Sequence, residues 1–334
     1  MTYILGMRAW ILDSSPGAYR FGEVECPPPG PGEVRIAVRA SALNHMDLWV
    51  TRGTPRPALP HVPGCDAVGT VESVGDGVEG LREGDEVVVN PGISPVRDMA
   101  TLGVDSPLSR EFRIWGEHTW GGHADLAVAP ARNVRPVPAG RSLEECAAFP
   151  VAYLTALRML RRGRVGRGTR VLVVGIGSGV SSAALDLAKH MGAHVSVTSR
   201  DGKKLEEASR RGADVLVDTR AESWGVEAEV VIESVGAATW EKSVESLVPG
   251  GRLVVCGGSS GGEVTLRLPR LWFRQHEIIG STMGSYQEFD TLLRMMEEGL
   301  PVAVDSVCPF ADYPAALERL ARGRQLGKVV LAHG

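Results

Sequence analysis

The chain has 334 residues, with 36 Lys and Arg residues against 40 Asp and Glu residues and a formal net charge of -4. This length predicts two domains, each large enough to bury its own core. Because the net charge is slightly negative and neither charge sign forms a run, nucleic acids and anionic membranes are poor partners and small molecules are the expected ones.

The first 150 residues are rich in Gly, Pro and short alternating strands, such as Glu33–Val38 and Ala67–Val74. Asp76-Gly77 and Glu79-Gly80 are typical of tight turns. This pattern indicates an all-β domain at the start of the chain.

From about Tyr153 to Thr282 the pattern alternates between strands and helices. An apolar run at Arg170–Val174 is followed by alternating glycines and a helix start rich in small residues, which predicts a buried parallel strand that turns sharply into a helix. Lys203–Arg211 predicts a further helix. Further strands are predicted at His194–Thr198, Asp214–Asp218, Glu229–Glu233 and Arg252–Cys256. The final segment predicts a strand near Val302–Val307, a helix near Pro314–Arg322 and a last strand at Gly327–Ala332.

The glycine-rich turn is a candidate dinucleotide site, because glycines admit a pyrophosphate close to the backbone and the helix start offers free amides. The GxGxxG fingerprint is incomplete, since its last glycine falls on Val180 in one register and on Ser181 in another. The alternative is a plain surface turn. The predicted cofactor contacts in this turn are Gly175, Gly177, Ser178, Gly179 and Val180.

The end of the second predicted strand indicates which nicotinamide cofactor is used. An NAD-specific domain carries Asp or Glu there, whereas this chain has Ser199 followed by Arg200, with Lys203 and Lys204 nearby. A hydroxyl and cations suit the 2′-phosphate, so we expect NADPH to be preferred over NADH. Asp201 would compete for the ribose if the register slipped by two residues.

Five cysteines lie far apart without a CxxC pair, which argues against a disulfide framework and a thiolate metal cluster. The start at Met1–Gly6 lacks the charged segment of an export signal, and the sequence has no apolar run of membrane length, so we expect a cytoplasmic protein.

Several motifs, in the same order along nearly the whole chain, resemble those of the medium-chain dehydrogenase/reductase superfamily. These segments are Ala42–Asp47, Pro63–Gly69, Val74-Gly75 with Glu83–Val87, Gly116–His118 and Gly327–Val330. The resemblance implies an α/β protein with an active site in the cleft between its domains. A GroES-like β-rich catalytic domain would span residues 1–152, completed by residues 283–334, and a Rossmann domain with a doubly wound parallel sheet would span residues 153–282.

The resemblance also implies that both zinc sites of the alcohol dehydrogenase branch are lost. At the catalytic site Asn44 stands at the first cysteine, Cys65-Asp66 replaces the His-Glu pair, and Val151 stands at the last cysteine. The four cysteines of the structural site are matched by Pro95, Asp98, Thr101 and Ser109. The alternative is an unusual metal site built from His45, His61, Cys65 and His118.

Hydride transfer without a Lewis acid favours an electrophile that is already activated, such as a quinone or a conjugated enone. Asn44 and Asp47 resemble the Asn and Asp that zinc-independent quinone oxidoreductases keep at these positions, while Met46 lacks the proton-relaying hydroxyl of the zinc branch. Asn44 could instead cap the local turn, and His45 could bind phosphate rather than donate a proton. The predicted catalytic donors are Asn44, His45, Tyr153 and Thr155. An aromatic substrate pocket could be lined by Trp49, Trp115, Trp120, Tyr153 and Trp272.

Further predicted cofactor contacts, beyond the glycine-rich turn, are Ser199, Arg200, Lys204, Ser234, Val235, Cys256, Gly257, Ser281, Thr282 and Lys328.

A homodimer is expected through the edge strand Glu277–Thr282, which contains the apolar pair Ile278-Ile279. Two alternative functions remain open. One is an alcohol or aldehyde dehydrogenase with an unusual metal site, and the other is a cofactor-binding protein without turnover.

Overall fold

The computed structural model of the chain describes residues 5–334. Most of Met1–Gly6, the segment for which no export signal is predicted, therefore lies outside the described residues. Within the described residues, no helix has both the length and the apolar character that a membrane crossing requires. The chain folds into two compact units. The first contains residues 5–151, Gly284–Gly299 and Val304–Gly334, and the second contains Ala152–Met283 and Leu300–Ala303.

The elements follow one another in three segments of the chain, with short 3-10 helices at Gly103–Leu108, Ala131–Asn133 and Phe310–Asp312. The first segment contains β1 (Leu5–Leu12), β2 (Tyr19–Cys26), β3 (Glu33–Ala42), α1 (His45–Val50), β4 (Asp66–Val74), β5 (Glu86–Val89), β6 (Gly92–Ile93), α2 (Val96–Leu102), β7 (Arg113–Ile114), β8 (Leu126–Pro130), β9 (Val134–Pro136) and α3 (Leu143–Ala148). The middle segment contains α4 (Pro150–Arg162), β10 (Arg170–Val173), α5 (Gly179–His190), β11 (His194–Ser199), α6 (Gly202–Arg210), β12 (Val215–Asp218), β13 (Ala228–Glu233), α7 (Trp240–Glu245), β14 (Leu247–Val255), α8 (Leu268–Arg274) and β15 (Glu277–Gly280). The last segment contains α9 (Tyr286–Glu297), β16 (Val304–Pro309), α10 (Tyr313–Ala321) and β17 (Lys328–Ala332).

The first unit is rich in β-structure, as predicted. Its main sheet has the order β16-β17-β3-β4-β5-β9, and β8 also pairs with β3. Alternate residues of these strands point into one core, which includes Val34, Ile36, Val71 and the fully buried Trp115.

The strand register of this sheet brings distant parts of the sequence to one place. Ala42 at the end of β3 lies opposite Asp66 at the start of β4, and on its other side opposite Val330 of β17. The backbone N–H of Leu43 also donates to the carbonyl of Val329, at 3.0 Å. The residues just after β3, at the start of β4 and at the start of β17 therefore meet at one end of the sheet.

The second unit has the predicted doubly wound architecture. Its six parallel strands have the order β12-β11-β10-β13-β14-β15, so the direction of winding reverses between β10 and β13. In open α/β sheets, ligands bind at the carboxyl ends of the strands at such a reversal. The glycine-rich turn follows β10 and therefore lies at this point. The strands are filled by apolar side chains, including Leu172, Val231 and Leu253.

Several predicted strand bounds differ from the structure by one or more residues, and the starts of β12 and β14 are two examples. Asp214 lies outside β12, because its carboxylate accepts from the backbone N–H of Val195 and from Lys189 Nζ, each at 2.7 Å. β14 begins at Leu247, before the predicted start at Arg252, because Leu247 already pairs with Ala228 before a register shift.

Candidate active site

The glycine-rich turn of the second unit depends on backbone conformations that suit glycine. Gly175 has a φ of 70° and Gly177 a φ of 140°, both in the region that other residues avoid. The N–H of Gly175 donates to Thr198 Oγ1 at 2.9 Å, and that of Ile176 donates to the Thr198 carbonyl at 2.7 Å. A Cβ added at Gly175 would lie 2.7 Å from a methyl carbon of Val235. The conformation of the turn therefore favours glycine at both positions, and at Gly175 a side chain would also collide with Val235.

Ser178 and Ser181 complete this turn. Ser178 caps α5 by accepting from the N–H of Ser181 at 3.1 Å, and Ser181 Oγ donates to the carbonyl of Gly175 at 3.0 Å. The N–H of Gly177 donates back to Ser181 Oγ at 3.2 Å. Ser181 is buried in the place of the missing fingerprint glycine, so its hydroxyl ties the turn to the helix. Sequence reasoning treated Ser181 as a departure from the motif and missed this role. With the helix start open, the turn fits a dinucleotide pyrophosphate.

The residues after β11 form a polar turn at the start of α6. Asp201 caps α6, its Oδ1 accepting from the N–H of Lys203 at 2.9 Å, so its carboxylate is used by the helix. The N–H of Asp201 in turn donates to Ser199 Oγ at 3.1 Å. Arg200 between them is exposed to solvent, and Lys204 is partly exposed on the first turn of α6.

The other predicted cofactor residues of the second unit lie at the carboxyl ends of β13, β14 and β15. A fully buried carboxylate, Glu233, organises the first of these loops: it accepts from the N–H groups of Val235 at 2.6 Å and Gly236 at 3.0 Å. Burial, followed by the charge of Glu233, raises the pKa of Cys256 to about 12, so this thiol stays protonated. The remaining residues of this group are Ser234, Gly257, Ser281 and Thr282, and each is at least partly exposed.

The first unit holds a buried polar cluster of Asn44, Asp66 and Lys328, which we call the ammonium cluster. Lys328 Nζ donates to Asn44 Oδ1 at 2.6 Å and to Asp66 Oδ2 at 2.7 Å. Asn44 Nδ2 donates to the same Asp66 oxygen at 2.8 Å. The side chains of Lys328 and Asp66 are 3% and 0% exposed. The sheet register described above is what assembles these three residues.

Neighbouring backbone groups complete the cluster. Asp66 Oδ1 accepts from the N–H of Val151 at 2.8 Å, so both oxygens of this carboxylate are bonded. The N–H of Asn44 donates to Asp47 Oδ2 at 2.7 Å at the start of α1. Asp47 thus holds the local turn, while the Asn44 amide has both its oxygen and its nitrogen engaged within the protein.

The positions that bind catalytic zinc in the alcohol dehydrogenase branch do not fit that ion here. The amide of Asn44 and the backbone N–H of Val151 both donate to Asp66, which also binds an ammonium group, so the carboxylate at these positions is already engaged. No group of three or more His, Cys, Asp or Glu side chains suited to a metal ion occurs in residues 5–334. At the positions that match the structural zinc site, Ser109 Oγ donates a hydrogen bond to Asp98 Oδ2.

The predicted catalytic donors are divided between the units, with Asn44 and His45 in the first and Tyr153 and Thr155 in the second. Burial and the charge of Lys328 lower the pKa of His45, which favours its neutral form. Tyr153 lies in the interior of the second unit, where its hydroxyl donates to Asp186 Oδ2 at 2.5 Å and accepts from the N–H of Ala303 at 2.8 Å. Thr155 is also buried there, with its hydroxyl 3.8 Å from the sulfur of Met283. Because these hydroxyls are used within the fold, the geometry does not support Tyr153 or Thr155 as proton donors.

The aromatic pocket is not supported as an ensemble either. Trp115 is a core residue of the first unit whose Nε1 donates to the carbonyl of Val128, and Tyr153 is a core residue of the second. Trp272 is 63% exposed on α8. Trp49 and Trp120 are partly buried in the first unit. Periodicity along the sequence did not distinguish these core and surface positions from pocket positions.

Glu117 is a buried acid that the sequence analysis did not single out. Within the described residues its Oε2 has no hydrogen-bond partner, and burial together with the charge of Asp47 raises its pKa to about 7. Its neighbour Gly116 packs directly on the Gly64–Cys65 backbone, since an added Cβ would lie 2.7 Å from the Cys65 nitrogen. The Gly116–His118 motif carried a signal, but its sequence alone did not show that the carboxyl is buried.

Two family models match the chain: an alcohol dehydrogenase GroES-like domain matches residues 30–139 and a zinc-binding dehydrogenase domain matches residues 179–298. The acryloyl-coenzyme A reductase of Metallosphaera sedula is 30% identical, over 97% of this chain and 99% of that protein. A crystal structure of an NAD-dependent alcohol dehydrogenase has a TM-score of 0.93 and 39% identity, covering 98% of this chain and 100% of the other. The 2-octenoyl-CoA carboxylase reductase CinF, in complex with NADP and 2-octenoyl-CoA, has a TM-score of 0.90 and 29% identity, covering 98% of this chain and 88% of the other.

Proposed function

Because the chain belongs to the medium-chain dehydrogenase/reductase family of oxidoreductases, we propose that it is an NADPH-dependent, zinc-independent reductase of conjugated double bonds or quinones. One observation carries this proposal: Asn44 and Asp66, at two positions that bind zinc in the alcohol dehydrogenase branch, are bonded to each other and to the buried ammonium of Lys328. Such a cluster offers no Lewis acid to polarise an isolated carbonyl.

The reaction class follows from this restriction. When bound, NADPH supplies a hydride. An α,β-unsaturated carbonyl compound accepts it at the β-carbon, the electron pair of the double bond moves towards the carbonyl oxygen, and a proton from water completes the saturated product. Acryloyl-coenzyme A reductase and CinF, by their names and bound ligand, point to the same class of substrate.

The chain's own residues would hold the cofactor. Gly175 and Gly177 would let the pyrophosphate approach the turn closely, and the first backbone N–H groups of α5, at Gly179 and Val180, would bind it together with the positive end of the helix dipole. Arg200, which is exposed, would pair with the 2′-phosphate, while one carboxylate oxygen of Asp201 is engaged by the N–H of Lys203 at the start of α6.

A second candidate is supported by the similarity to an NAD-dependent alcohol dehydrogenase. The test is a panel of quinones, conjugated enones, enoyl thioesters and simple alcohols, measured with both cofactors after extensive chelation and with the zinc content of the protein determined. We expect NADPH oxidation with a quinone or a conjugated acceptor and well under one zinc ion per chain. Activity confined to alcohols and NAD, or stoichiometric zinc, would favour the second candidate. Cofactor binding without turnover on the whole panel would favour a binding protein.

We also propose that the protein is a homodimer joined through the second unit. β15 is the edge strand of the six-stranded sheet and exposes Ile278. The preceding α8 presents Trp272 and Phe273, and Phe273 is 83% exposed. An edge strand beside an apolar surface is a liability in a monomer, and a two-fold copy of the same strand would cover both.

A further inference from the structure

Lys328 could contact the cofactor or could hold the ammonium cluster together. The family resemblance implies that this residue contacts the cofactor, whereas the structure turns its ammonium into the first unit, between Asn44 and Asp66. We infer that Lys328 is a positioning residue for the reduction and is not a ligand of the cofactor pyrophosphate. Its ammonium is a covalently fixed cation that joins the chain segments which a metal ion joins in zinc-dependent relatives.

The geometry favours this inference in three respects. First, the ammonium is buried and makes two short charge-assisted hydrogen bonds, at 2.6 and 2.7 Å. Second, its partners are Asn44, which lies just after β3 and caps α1, and Asp66, at the start of β4, and Asp66 also accepts from the N–H of Val151. Third, these are three of the positions at which zinc relatives carry metal ligands. One cation thus joins the segments from the inside.

Moving Lys328 to a phosphate would be unfavourable. Asp66 is fully buried, and Lys328 supplies the one cationic contact found for it in the described residues. Withdrawing the ammonium would leave a buried carboxylate without a counter-ion, which is the costly way to break a buried pair. Asn44 would at the same time lose the donor that fixes the orientation of its amide.

Lys328 then acts on the reaction through Asn44. The amide oxygen is held by Lys328 and the amide nitrogen by Asp66, so the turn that begins α1 keeps one conformation. Removing the ammonium frees this turn. Changes to groups that orient reactive-site residues cost about 10- to 100-fold in activity, and we expect a loss in kcat of this size.

The test compares Lys328→Met with Lys189→Met. The control also removes a lysine from a Lys–Asp pair, because Lys189 Nζ lies 2.7 Å from Asp214 Oδ2. This pair is outside the cofactor turn and outside the ammonium cluster. NADPH affinity is measured by fluorescence titration without substrate, and kcat is measured at saturating NADPH with the best conjugated acceptor. We expect Lys328→Met to leave the NADPH Kd within about threefold of the wild type while kcat falls, and Lys189→Met to change neither. A pyrophosphate ligand would instead raise the Kd about 10- to 100-fold on removal, since a charge-assisted hydrogen bond is lost.

If Lys328→Met does not fold, the double variant Asp66→Asn/Lys328→Met replaces it in the test. The double variant removes both charges and therefore leaves no unpaired buried carboxylate. The same titration then decides the cofactor question. The inference is overturned by a raised NADPH Kd with unchanged kcat, or by wild-type protein that binds one Co²⁺ per chain with the visible absorption of a thiolate complex. The kcat measurement rests on the proposed function. If the wild type reduces no conjugated acceptor, that function fails, while the NADPH and Co²⁺ titrations still decide the position of Lys328.

Discussion

Glu117→Gln is expected to stabilise the protein increasingly as the pH rises. Burial, followed by the charge of Asp47, raises the pKa of Glu117 from 4.5 to about 7, so the folded state binds a proton that the unfolded state has released. Stability contributed by a raised carboxyl pKa is therefore lost as the pH rises between these two values, and above the folded pKa the loss is complete. A neutral amide of the same shape avoids this loss.

The magnitude follows from the shift of the pKa. One unit is about 1.4 kcal/mol, so the ionisation penalty in the wild type is about 1.4 kcal/mol at pH 5.5 and about 3 kcal/mol at pH 8. The stability difference between Glu117→Gln and wild type should therefore grow by about 2 kcal/mol over this interval. Urea unfolding at a series of pH values measures it. Glu83→Gln, which removes an exposed carboxyl of the same unit, is the control and should show no such growth. A difference for Glu117→Gln that stays constant with pH, or shrinks, would refute the assigned environment of this carboxyl.

Three further predictions concern the second unit. Gly177→Val forces a β-branched residue to a φ of 140°, so NADPH affinity should fall at least about tenfold in a calorimetric titration while the circular dichroism spectrum is retained; unchanged affinity would make the turn merely structural. Arg200→Ala should weaken NADPH binding about tenfold or more and spare NADH, and equal kinetic efficiency of the two cofactors in the wild type would show that Arg200 does not read the phosphate. Ile278→Lys places a charge on the exposed edge strand and should convert the dimer into a monomer by light scattering, whereas a wild type already monomeric when dilute would contradict the proposed interface.

Local patterns in the sequence were enough to predict the parallel sheet of the second unit and the sharp turn after β10. The apolar run at Arg170–Val174, the glycines after it and the strand–helix alternation each depend on neighbouring residues, and the structure confirms this sheet and turn. Asn44 and Lys328 are 284 residues apart, and nothing local in the chain predicts their contact. This contact arises from the register of β3 with β4 and β17, which no local pattern in the sequence reveals.

Burial was the other property that the sequence could not supply. Tyr153 is a plausible donor by residue type, but its position on α4 turns the hydroxyl towards Asp186 and Ala303 in the core. Glu117 was overlooked for the converse reason, because acidic residues in turns are usually solvated, and only the packing of Gly116 against Cys65 shows that this turn is enclosed.

The most direct test of the proposed function is the fate of the hydride. Metal-depleted protein is supplied with NADPH carrying deuterium at the transferable position and with a conjugated enoyl thioester, and the product is analysed by mass spectrometry and NMR. The account predicts a saturated product with one deuterium at the β-carbon and undiminished turnover in chelator. Deuterium at a carbonyl carbon, giving an alcohol, or turnover that appears only after zinc is restored, would contradict it.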